Sequence, residues 1–334
     1  MKKNNNNLAV KILGAVALIA VLYFAFSGSD AVMVKVDGSS TVFPITEAIA
    51  EEFGKENPDI QVPVGVSGTG GGFKKFCVGE TDINDASRPV KDKEIKVCQE
   101  NSIEFIELPV AYDGLSVVVN KDNNFAKSLT VDQLHRLWEE GSKIKTWEDL
   151  NSSWPDEEIK LYGPGTDSGT FDYFNEAIVE KPSIKDCVAG GKEKAVCKKE
   201  KDQIRSDFTK SEDDNVLVNG VNGSKYAMAF FGYAYYLENK DKLNVIAIDG
   251  GNGAVSPSET TINNGTYSPL SREIYIYVSR ESAERDEVDS FITYYLDKAK
   301  DLVGEVGYIP LPDSRYDKAK EKFQNRETGV WVGE

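Results

Sequence analysis

Between residues 33 and 120 the apolar positions switch back and forth between strand spacing and helix spacing. Met33 to Asp37 alternates as a strand does. After the polar run Gly38 to Thr41, the residues Val42, Ile45, Ile49 and Phe53 recur at the interval of one helix face. IQVPVGV at 60–66 predicts a second strand, SGTGGG at 67–72 a glycine-rich loop, and FKKFCVGE at 73–80 a helix. A further polar loop, TDINDASRPV at 81–90, precedes a helix around Asp92 to Asn101. Residues 103–120 then read as two apolar strands broken near Pro109.

The alternation restarts at 128. In SLTVDQLHRLWEEG, Thr130 stands as a helix cap with Gln133 three residues on, and Val131, Leu134 and Leu137 or Trp138 share a face. Residues 159–179 predict a strand, a glycine-rich turn and a helix, and the charged stretch 180–215 an irregular surface excursion. Asn215 to Gly223 leads into 225–248, an apolar helix or turn followed by a strand. REIYIYV at 272–278 is a strand, and 282–307 a helix that buries Val288, Phe291, Ile292, Tyr295 and Leu296 together. Such strand and helix alternation predicts an α/β fold with a mostly parallel sheet covered by helices. If the final helix packs back on the first part of the chain, two lobes face each other across a cleft.

A chain of 334 residues suits two cores, and 40% apolar with 28% charged residues suits an ordinary globular protein. Residues 1–31 change the setting. Lys2, Lys3 and Lys11, the apolar run Ile12 to Phe26 and the small polar end SGSDA have the layout of a secretory signal, cleaved after Ala31 or retained as an N-terminal anchor. The net charge of −16, which becomes more negative once the three lysines of the leader are gone, argues against nucleic acid and anionic lipid as partners. In an oxidising compartment Cys77 with Cys98 and Cys187 with Cys197 would close two short disulfide loops, although four cysteines allow three pairings. A zinc site is the competing use, but no Cys-x-x-Cys occurs and the single histidine, His135, falls in a helical stretch.

Four loops rich in glycine and hydroxyl residues stand at apparent helix starts, where unpaired amides and the positive dipole end receive an oxyanion without a lysine. They are Ser39, Ser40 and Thr41 after Gly38; Ser67 to Gly72, including Gly70; Asp85, Ser87 and Arg88; and Gly163 to Thr170, in which Asp167, Ser168, Gly169 and Thr170 can cap a helix beginning near Phe171. Each is also an ordinary cap on its own terms, worth about 0.5–2 kcal/mol without any ligand. Their recurrence together with Arg88, whose planar fork donates two hydrogen bonds, points to an anion site. Asp85 would accept a hydrogen bond from a protonated oxygen, which hydrogen phosphate has and sulfate lacks. GTGGGFKK lacks the Gly-Lys-Ser or Gly-Lys-Thr ending of a nucleotide loop, and no dinucleotide fingerprint is complete. No cofactor is called for. A phosphatase would want a metal cluster or a nucleophile beside a base, and neither Ser40 nor Ser168 has one in the pattern.

The segments GSSTVFPI at 38–45, SGTGGGFKKF at 67–76, DINDASRP at 82–89, VAYDGLSVVVN at 110–120 and GPGTDSGTFDYF at 163–174 resemble the periplasmic phosphate-binding proteins, the substrate-binding components of phosphate ABC importers. The resemblance implies a two-lobed type II periplasmic-binding-protein fold, with one lobe from 32–113, the other from 114–268 and a return to the first over 269–334. It implies a non-enzymatic monomer in the periplasm or on the extracellular face of the membrane, which passes inorganic phosphate to a permease. It also implies ligand contacts from Ser40, Thr41, Ser67, Gly70, Asp85, Ser87, Arg88, Ser168, Gly169 and Thr170. Many members carry an arginine shortly before their Ser-Gly-Thr, where this chain has Pro164, so the expected cation is Arg88. Carriers of molybdate or sulfate share the fold, and a secreted adhesin or phosphate sensor would share the pocket.

Overall fold

The computed structural model describes residues 32–332 except Asp167, so the expected leader at 1–31 lies outside the described residues. A ten-stranded mixed sheet organises the chain. Its principal strands are β1 (Val36–Gly38), β2 (Val64–Val66), β3 (Ile83–Ala86), β4 (Phe105–Asn120), β5 (Lys160–Gly163), β6 (Thr209–Lys210), β7 (Ala227–Gly232) and β8 (Ser271–Ser279), in the spatial order β2-β1-β3-β8-β4-β7-β5-β6. The parallel pairs lie toward the two ends, β1 with β2 and β3, and β5 with β6 and β7. The centre departs from the expected mostly parallel sheet, because β8 runs antiparallel to β3 and β4, and β4 antiparallel to β7.

β4 replaces the two strands expected over 103–120. All of its residues are buried, and a bulge opposite Ile274 and Tyr275 lets the strand continue past Pro109, which has no N–H to give to a ladder. Up to Gly114 this strand pairs with β8, and from Leu115 onward with β7, so its two ends serve different halves of the sheet.

The helices that position the site are α1 (Phe43–Glu56), α2 (Thr69–Phe76), α3 (Asp92–Glu100), α4 (Val131–Trp138), α5 (Gly169–Phe174), α6 (Lys181–Ala189), α7 (Lys194–Cys197) and α8 (Asp286–Glu305). The apolar faces read from the sequence are the buried ones. Ile45, Ile49 and Phe53 of α1 pack toward α8, where Val288, Phe291, Ile292, Tyr295 and Leu296 are all covered and the Phe53 and Phe291 rings meet edge-on at 5.3 Å. Thr130 caps α4 and shares a capping box with Gln133, as the spacing predicts.

α5 runs without a break through a π-helical turn, Asn175–Glu180, into α6. It is anchored by Phe174, which stacks on Phe230 of β7 at 3.8 Å while Trp138 meets both rings edge-on. Burying aromatic rings of this size contributes about 1.5–3 kcal/mol each, so the helix start is held by a rigid base.

Three local readings change. α2 begins at Thr69, so the glycines at 70–72 belong to a helix and not to a loop. A Cβ at Gly72 would lie 1.9 Å from Asn84 Oδ1 and 2.7 Å from Gly38 Cα, and this close approach is what the missing side chain permits. The stretch 225–248 opens with a strand, Ala227–Gly232, ahead of the expected helix, Tyr233–Glu238, and the expected strand residues follow it. The excursion at 180–215 contains α6 and α7. Both disulfides form as paired above, Cys77 with Cys98 joining α2 to α3 and Cys187 with Cys197 joining α6 to α7.

Candidate ligand-binding site

Two helix starts meet face to face. Ser39 Oγ accepts from Thr41 N–H at 3.2 Å just before α1, and Ser168 caps α5 by accepting from Thr170 N–H at 3.2 Å. Gly169 is the first residue of α5, and a Cβ built on it would lie 2.7 Å from Thr41 Cα and 2.8 Å from Thr41 Oγ1. Ser40 Oγ donates to Asp172 Oδ2 of α5 at 3.3 Å. Thus Ser40, Thr41, Ser168, Gly169 and Thr170, from segments far apart in sequence, share one place where two positive helix ends converge.

The cation at this place is Arg272, at the start of β8. Its Nη2 donates to Thr41 Oγ1 at 2.9 Å and its Nε to Asp113 Oδ2 at 3.1 Å, while the guanidinium carbon sits 3.6 Å from the centroid of the Tyr173 ring. Arg272 and Asp113 are cross-strand partners on β8 and β4, and Tyr173 belongs to α5, so one side chain ties both strands to the helix. Burial pushes the Asp113 carboxyl up and Arg272 opposes that shift, which marks the pair as mutually dependent. Glu176 Oε2 stands 4.0 Å from Arg272 Nη1.

Arg88, the cation expected from the sequence, lies apart from this point with its fork turned to Glu94, and Arg272 was not among the expected residues. Arg88 gives its fork to Glu94, with Nη1 to Oε2 at 2.9 Å and Nη2 to Oε1 at 2.7 Å. Burial pushes the Glu94 carboxyl up, but Arg88 and the Lys91 N–H outweigh it and hold the group below its ordinary value. Around the start of α2, Arg88 lies beside Gly70, and Thr69 Oγ1 accepts from Ser87 N–H at 3.1 Å. Ser67 is exposed and donates to Asp37, which also pairs with Lys75.

Asp85 is fully buried beneath the first turn of α1. Its Oδ1 accepts from Thr46 Oγ1 at 3.1 Å, Thr46 in turn meets Tyr295 Oη at 3.1 Å, and Oδ2 has no partner among the described residues. Burial, with a smaller contribution from Asp37, raises the carboxyl to about 8. Asp113 offered the missed signal: an acid inside the apolar run VAYDGLSVVV demands a buried partner, and the sequence supplies no hint of which arginine answers it.

Beside Glu176 opens a cavity of about 740 Å³ lined by Lys91, Lys181, Lys185, Lys194, Lys198 and Lys201, with only Glu176 and Glu180 opposing them. Lys181 Nζ pairs with Glu176 at 3.1 Å and Lys201 pairs with Glu180. The remaining lysines leave a local surplus of positive charge on a chain whose net charge is −16.

The model of the PBP superfamily domain matches residues 25–299. The chain is 46% identical to SphX of Synechococcus elongatus, over 96% of this chain and 90% of that protein. It is 37% identical to the phosphate-binding protein PstS of Staphylococcus saprophyticus, over 90% of this chain and 87% of that protein. Among solved structures it matches a possible phosphate binding protein from Planctomyces limnophilus with a TM-score of 0.79 at 42% identity, covering 90% of this chain and all of the other. A family model spanning most of the chain, and relatives this similar over nearly its whole length, show that the chain belongs to the PBP superfamily and, within it, to the family of SphX and the PstS phosphate-binding proteins.

Proposed function

We propose that the chain binds inorganic phosphate between two lobes, without chemistry, and delivers it to the permease of an ABC importer. The observation that carries this reading is the meeting of Thr41, Gly169 and Arg272, where two helix starts and one fixed guanidinium address a single point. Ser40, Ser168 and Thr170 complete the proposed contact set. Gly70, Ser87 and Arg88 line the adjoining start of α2, and Ser67 supports it from outside through Asp37. The proposed lobes divide at Gly114, where β4 passes from β8 to β7, and the chain returns to the first lobe at β8. A ligand held by both lobes favours their closed arrangement because only there does it touch both. The protein acts outside the cytoplasm as a monomer, with residues 1–31 as its leader or anchor.

Calorimetry against phosphate, arsenate, sulfate and molybdate tests the reading. Saturable phosphate binding with little heat from sulfate is expected, and a preference for another solute would overturn it. Asp85 gives the experiment a second edge. While protonated it can donate to either anion, but once ionised it can only accept from an oxygen that carries a proton. The preference for phosphate over sulfate should therefore widen as pH rises through about 8, and flatten in Asp85→Asn. The same substitution reports on stability. Because the folded carboxyl binds its proton more tightly than the unfolded one, Asp85 costs stability progressively as pH climbs from about 4 to about 8. Asp85→Asn should remove that slope and gain on the order of a few kcal/mol near pH 8 in urea unfolding.

The lysine cavity belongs to the same reading as the approach to the site. Its positive surplus lies beside Glu176, itself next to Arg272, and such a surplus accelerates the encounter with an anion while salt screens it. Stopped-flow measurement on Lys185→Gln/Lys194→Gln/Lys198→Gln should show phosphate association slowed about 3- to 10-fold at low salt and converging with the unaltered protein at high salt. Dissociation should not change. Equal association rates at low salt would remove the lysines from the mechanism.

A further inference from the structure

The single histidine of the chain is not an isolated core residue. His135 is on the last turn of α4, Glu139 follows four residues later, and Asp202 comes from the segment after α7. The His135 side chain is only 8% exposed, and its Nε2 lies 3.3 Å from Glu139 Oε2 and 3.5 Å from Asp202 Oδ2. One ligand atom from each residue falls within 4.8 Å of the other two.

The other ring nitrogen settles what Nε2 offers. Nδ1 is 3.1 Å from the carbonyl oxygen of Ile178, and a carbonyl can only accept, so Nδ1 carries the hydrogen. In the neutral ring Nε2 then presents its lone pair to two carboxylates, an arrangement that is repulsive unless a positive species lies between them. The two separations match the edge of a tetrahedron, about 3.3–3.5 Å, that surrounds an ion with bonds of about 2.0–2.1 Å to nitrogen and oxygen. A backbone carbonyl holding the far side of a ligating imidazole is also the usual support of such a site.

We propose that His135, Glu139 and Asp202 form a binding site for a divalent cation of the zinc type, with water completing its shell. The ion joins α4 to the segment that carries α6 and α7. Asp202 N–H donates to Ser183 Oγ of α6 at 3.0 Å, so a bound ion fixes the base of the lysine-bearing excursion as well as its own ligands. It plays no part in holding phosphate, and its test does not depend on that reading.

The test is titration of the chelator-treated, untagged protein with zinc chloride in phosphate-free buffer, followed by calorimetry and by elemental analysis after gel filtration. About one equivalent of zinc should be retained. Cobalt(II) in its place should give the intense visible absorption of a four-coordinate ion. Both signals should be lost in His135→Gln and in Asp202→Asn, the second keeping the fold intact because Asp202 is half-exposed. Retention of one equivalent by both variants, or no retention by the unaltered protein, would overturn the proposal.

Discussion

Arg272→Ala should abolish measurable phosphate binding. Among the described residues the guanidinium supplies the one cation that touches Thr41, and it is fixed on its other sides by Asp113 and the Tyr173 ring. Hydrogen bonds to a charged group contribute about 1.5–3 kcal/mol each, so losing a two-pronged contact lowers affinity by at least about 100-fold. The same change leaves Asp113 buried without its partner, a defect that costs about 3–5 kcal/mol in folding. Loss of binding and loss of fold must therefore be separated. Arg272→Ala/Asp113→Asn removes the orphaned charge, and it should recover most of the stability by urea unfolding while remaining unable to bind. Arg272→Lys keeps the charge but not the planar fork, and should retain only part of the affinity. A double variant that folds and binds phosphate normally would move the site elsewhere, with Arg88 the next residue to examine.

Gly169→Ala should separate affinity from stability in the opposite way. The added methyl would lie 2.7 Å from Thr41 Cα and 2.9 Å from Thr41 N, which are backbone atoms and cannot swing aside. The two helix starts would be held apart and the contacts that require both would be lost, which we expect to weaken phosphate binding about 100-fold. The clash is relieved once the two helix starts stand apart, and alanine suits the first turn of a helix better than glycine, so the variant should unfold no earlier than the parent. Scattering with saturating phosphate should show the parent becoming more compact and the variant failing to do so. Undiminished affinity in Gly169→Ala would mean that the approach of Thr41 to Gly169 is not the closing contact.

Local spacing made much of this fold legible. The faces of α1 and α8, the capping box of α4 and both disulfides depend on residues close in sequence, where period and reach are enough. The strand at 227–232 was not legible because YAMAFFG and the YAYYL that follows it are apolar throughout, and uniform apolarity carries no period. The glycines of α2 read as a loop because glycine is a poor helix former, and only the proximity of Asn84 and Gly38 explains them. For the site, the hydroxyl-rich helix starts stood out as pattern. The pair that completes them, Arg272 with Asp113, is a cross-strand contact whose members are 159 positions apart, and no local rule connects them.

The insertion of β8 between β3 and β4 also shapes how the molecule is made. β1, β2 and β3 leave the ribosome early, yet their sheet joins the remainder through a strand that emerges near the end of synthesis. Closing a chain segment of that length before any ladder rewards it raises the contact order and slows folding. Until β8 arrives, β3 keeps one edge without a partner, and the early strands cannot be zipped to the other half of the molecule.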